Sequence, residues 1–135
     1  MSSANMWSPD QGPGSEATVV AVFTAWLTEQ GWACEKLPAH GDHPDIVARH
    51  PDGRRLVVEA AGFTRDAGAN LDVGYGQILR RMKGEAATTY ALVVAASIVR
   101  FAQRVPAEVR DKLGIALYTV DAGGKVALAE SAHGH

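Results

Sequence analysis

Apolar and polar positions alternate along this chain with two periods. Val19, Val20, Phe23, Trp26 and Leu27 recur at the three-and-four spacing of one helical face. Ser15 precedes them as an N-cap, Glu16 places a carboxylate in the first turn, and Gly31 follows as a terminator. This predicts a first helix over 16–30. Residues 32–37 form a short strand of mixed character, and 38–44 a loop holding His40, Asp42 and His43. Residues 45–50 and 54–61 read as the clearest strands, separated by the turn residues Pro51, Asp52 and Gly53. The unbroken apolar run Leu56, Val57, Val58 sets the second of these strands centrally in a sheet, covered on both faces.

Residues 62–74 read as a polar, glycine-containing connection. A second helix follows, with Tyr75, Ile78, Leu79 and Met82 as its apolar stripe and Gln77, Arg80, Arg81 and Lys83 off it. A buried strand over 89–95 comes next. Ser97 then caps a helix carrying Ile98, Phe101 and Ala102, and a further helix opens at Pro106 and stops at Gly114. Residues 115–120 and 125–129 flank Asp121, Ala122, Gly123 and Gly124 as a closing hairpin. A helix between the third and fourth strands is a crossover, which makes those strands parallel. The expected class is α/β, a central mixed sheet flanked by helices.

The length of 135 residues fits one domain, expected over 15–130, with a flexible leader over 1–14 and a flexible tail over 131–135. Apolar residues make up 47% and charged residues 21%, which argues against a disordered chain. The net charge of −2 offers no global basic excess, so any nucleic-acid partner must be met by a local patch. No stretch approaches the roughly 20 apolar residues of a membrane span. The leader lacks an apolar signal core, so no membrane partner and a cytoplasmic location are expected. The lone Cys34 forms no internal disulfide and reads as a small buried hydrophobe. His40, Asp42 and His43 match no structural zinc spacing.

Register supplies the candidate chemistry. If the 51–53 turn closes symmetrically, His50 faces Arg54, Arg49 faces Arg55, Val47 faces Val57 and Asp45 faces Glu59. Directly opposed residues share a face, with Cβ atoms about 4.5–5.5 Å apart. Two opposed carboxylates repel, and burial makes each more costly. A divalent cation such as Mg²⁺ would relieve the pair. A slip of one residue would separate the acids onto opposite faces.

Pro44 and Asp45, followed by Glu59, Ala60 and Ala61 on the next strand, resemble the PD…(D/E)-x-K signature of the PD-(D/E)XK, or restriction-endonuclease-like, nucleases. The order of elements is similar as well. The resemblance implies a three-layer sandwich, Mg²⁺ or Mn²⁺ held by Asp45 and Glu59, and DNA or RNA as partner. It further implies a catalytic set of Asp45, Glu59 and Gln77, with Glu16 as an accessory acid and Arg80, Arg81 and Lys83 as phosphate contacts. Ala61 stands where the family has its lysine, and a methyl group neither donates a hydrogen bond nor assists proton transfer. Lys36 or Lys83 would have to reach in, or metal-bound water suffice. His43 would lie opposite Ala61 if the strand ran past Pro44.

Three readings follow: a divergent metal-dependent nuclease, an inactive nuclease-fold binding or protein-interaction module, and an unrelated α/β protein whose acids are structural. Homodimers are common among such folds, but no sequence feature marks an interface. Plainer roles compete at single positions. Glu16 would suit a first helical turn in any case, Gln77 would suit a solvated face, and a basic helix face is usually only hydrated.

Overall fold

The computed structural model describes residues 12–129. The 51–53 turn closes as its sequence dictates. His50 N–H donates to the Arg54 carbonyl and Gly53 N–H to the His50 carbonyl, each at 2.9 Å. Gly53 sits at φ +97°, a left-handed value that glycine adopts without strain. Strands β2 (Ile46–Arg49) and β3 (Arg55–Ala61) therefore pair antiparallel, with Val47 opposite Val57 and Arg49 opposite Arg55. The expected register holds.

Six strands lie in sequence order in one sheet: β1 (Ala33–Cys34), β2, β3, β4 (Thr88–Ala95), β5 (Ile115–Val120) and β6 (Val126–Leu128). β3, β4 and β5 run parallel, and the outer pairings are antiparallel. The first strand is two residues long rather than six, and Cys34 on it is half-buried. Helices α1 (Glu16–Glu29) and α2 (Ala67–Arg81) cover opposite faces. Phe23 and Trp26 of α1 pack on the Tyr118 ring, with centroids 5.1 and 5.5 Å away. Tyr118 pairs with Val93 in register, whereas Gly74 of α2 approaches the preceding residue, Leu92, and successive strand residues point to opposite faces. Short helices α3 (Val99–Ala102) and α4 (Ala107–Leu113) complete a mixed α/β sandwich. Gly114 at φ +75° stops α4.

Helix α2 begins eight residues before the expected Tyr75. Three glycines, at 68, 74 and 76, lower the local helix signal, since each costs about 1 kcal/mol against alanine. Packing overrides that cost. Ala67, Leu71, Tyr75 and Ile78 form the buried stripe, while Leu79, assigned to it from sequence, is exposed. Residues 1–11 of the expected leader and 130–135, which include the expected tail, lie outside the described residues. Gly12 and Gly14 are tied into the fold: their carbonyls accept from Ser15 N–H at 2.9 Å and Phe63 N–H at 2.7 Å. Among the described residues no helix is long and apolar enough to cross a membrane.

Candidate functional site

Asp45 stands one residue before β2, and the register carries it opposite Glu59. Its Oδ2 accepts the Ala60 N–H at 2.8 Å, so the carboxylate is fixed against the end of β3. Glu59 is only 2% exposed. Its Oε2 accepts from Arg81 Nε at 3.1 Å, and a terminal nitrogen of the same guanidinium donates to Asp42 Oδ1 at 3.2 Å. Arg81 closes the last turn of α2, so crossover helix, β3 and the 38–44 loop meet at one side chain.

Burial pushes the Glu59 carboxyl up to about 7, and Asp45 adds to the rise, while Arg81 pulls the other way. Glu16 is also raised, first by burial and then by Asp45. Burial works against the Arg81 charge, yet Glu59 and Asp42 hold its pKa above the usual arginine value. Asp45 thus couples electrostatically to both other acids.

The start of α1, which carries Glu16, comes close to β3 because Gly62 has no side chain. A Cβ on Gly62 would lie 2.1 Å from the Glu16 nitrogen and 2.7 Å from the Gly14 oxygen. The start of α1 therefore rests directly on the end of β3. Ser15 caps it, accepting from Thr18 N–H at 3.1 Å.

Two hollows flank this network. A cavity of about 200 Å³ is lined by Glu16, Asp45, Ala61, Asn70 and Gln77 among others. Glu59 does not line it. A larger cleft of about 660 Å³ carries Arg49, Arg55, Arg80, Arg81 and Lys83, with Asp42 and Glu85 as its acids. The sequence-derived residues are thus divided: Glu16, Asp45 and Gln77 share the cavity, Arg80, Arg81 and Lys83 share the cleft, and Glu59 lines neither but is bound to Arg81. His43 does not reach Ala61. Its ring nitrogens lie 2.8 Å from the Pro38 and Pro44 carbonyls, because the strand starts only at Ile46.

Arg49, Arg55 and Asp42 join the site although sequence reasoning did not single them out for it. Arg49 and Arg55 were findable, since alternation puts them on the sheet face of Asp45 and Glu59. Arg81 lies four residues from Gln77, hence on the same helical face.

Glu59 already holds the Arg81 guanidinium, and among the described residues no group of three or more His, Cys, Asp or Glu stands together.

No family model and no curated protein matches the chain. Its structure is similar to that of an XisH family protein from Nostoc punctiforme PCC 73102, with a TM-score of 0.58 and 16% identity, over 84% of this chain and 99% of that one. At that identity the likeness is one of fold.

Proposed function

We propose that this chain is a nuclease-fold module that grips the sugar-phosphate backbone of DNA or RNA in the basic cleft without hydrolysing it. The observation that carries this reading is the gathering of five basic side chains in one cleft of a chain whose net charge is −2. Backbone phosphates are the usual targets of such local patches. Arg55, Arg80 and Lys83 make no ion pair among the described residues, so their charges remain available to a polyanion. Arg49 is bound to Glu35 at 2.8 Å, but that bridge is exposed and weak enough to exchange for phosphate.

The likeness to an XisH family protein, a family of restriction-endonuclease-like fold, is compatible with this reading. Ala61 supports the loss of hydrolysis. Its methyl group stands in the motif's lysine position and supplies neither charge nor a proton. Lys83 lies in the cleft, and neither it nor Lys36 lines the cavity that Ala61 shares with Asp45.

The test is fluorescence anisotropy with labelled duplex and single-stranded DNA and RNA in EDTA, alongside incubation of plasmid with Mn²⁺. Binding without metal, weakened in Arg55→Ala/Arg80→Ala, and intact plasmid support the proposal. No binding at low salt overturns it. Plasmid cleavage that disappears in Asp45→Ala overturns the non-hydrolytic part and makes the chain a nuclease.

A further inference from the structure

We infer that Arg81 is the resident counter-cation of Glu59 and, by occupying that acid, fills the place a divalent ion on Glu59 and Asp45 would otherwise take. This inference does not depend on whether the cleft binds nucleic acid. Two opposed carboxylates at the end of buried strands are relieved by a proton on one of them or by a positive partner. In this chain the partner is covalently part of α2. The guanidinium presents Nε to Glu59 and a terminal nitrogen to Asp42, two edges of one planar fork on two acids. The Arg81 side chain is only 18% exposed, and its carbonyl also accepts from the Tyr90 hydroxyl at 3.4 Å, which fixes the helix end that carries it. The remaining acid, Asp45, is satisfied by the Ala60 N–H.

A metal on Glu59 and Asp45 would have to displace the guanidinium from Glu59 or sit beside a like charge. The acid pair is therefore a latent cation site, closed by a side chain. Metal affinity should emerge when that side chain is removed.

The test is a thermal melt in EDTA and in millimolar Mn²⁺ for wild type, Arg81→Ala and Arg81→Ala/Asp45→Ala. The expected result is no Mn²⁺-dependent shift in wild type, a rise of a few degrees in Arg81→Ala, and loss of that rise in the double variant. Arg81→Gln, which keeps most of the stem, serves if Arg81→Ala fails to fold. The free-Mn²⁺ electron paramagnetic resonance signal with wild type reads the same point without any variant, and it should stay undiminished. Wild-type signal loss that Asp45→Ala restores overturns the inference, as does an arginine variant that melts identically with and without Mn²⁺.

Discussion

Arg81 and Glu59 face each other across the crossover helix and the central strand, joined by one charged hydrogen bond of 3.1 Å with Glu59 almost fully buried. Removing one partner of such a pair strands the other in a poorly solvated place, at a cost of about 3–5 kcal/mol when the charge cannot escape. Glu59 can escape by taking up a proton, because burial has already raised its pKa to about 7. Arg81→Met should therefore cost roughly 2–4 kcal/mol at about pH 8 and clearly less at about pH 5. Urea unfolding at the two pH values checks this. The double variant Arg81→Met/Glu59→Leu should recover most of the loss at the higher pH, since neither charge remains.

Glu59 also sets a pH dependence of its own. Its folded pKa, about 7, lies above the ordinary 4.5, so the folded state binds the proton more tightly than the unfolded chain. The associated stability is fully present below about 4.5 and is lost as pH rises through about 7. Wild type should thus lose stability relative to Glu59→Gln across that window, by a few kcal/mol at most. Asp45→Asn should move the titration of Glu59 downward, because Asp45 contributes to the rise. Stability against pH for the three proteins reads both effects, and parallel curves for wild type and Glu59→Gln would remove Glu59 as the titrating group.

The glycines divide by what surrounds them. Gly62→Ala would drive a Cβ into the backbone of residues 14–16, with nothing flexible to give way. It should destabilise by about 3 kcal/mol or more, or shift α1 away from β3. Gly76 lies inside α2, and a Cβ there meets only the end of Arg80 at 3.7 Å. Gly76→Ala should stabilise by roughly 0.4–1 kcal/mol. Thermal melts of the two variants should move in opposite directions.

The hairpin was legible because its turn is specified by three residues, and alternation then fixes every facing pair from Arg49 and Arg55 to Ile46 and Val58, with Asp45 and Glu59 next in line. Parallel pairing of β3 with β4 followed from the intervening helix. The first half of α2 was not legible. Gly68 and Gly74 look like loop residues until the neighbours they make room for, Arg104 and Leu92, are known. The union of Glu59 with Arg81 was hidden for a similar reason. Periodicity assigns Arg81 to the helix surface, but only the crossing of α2 over β3 decides what that surface meets. Gly62 carried no signal either, since its need for space arises from the distant start of α1.

Phosphate binding in the cleft carries a salt signature. It is read from the salt dependence of duplex DNA binding, measured in EDTA for wild type and Arg55→Ala/Arg80→Ala. Every phosphate that a variant no longer neutralises should lower the slope of log affinity against log salt by about 0.9. The wild-type slope should correspond to several neutralised phosphates. The double variant should bind more weakly, with a slope shallower by nearly 2. Equal slopes and equal affinities for the two proteins, or no binding by wild type at low salt, would contradict phosphate binding in the cleft.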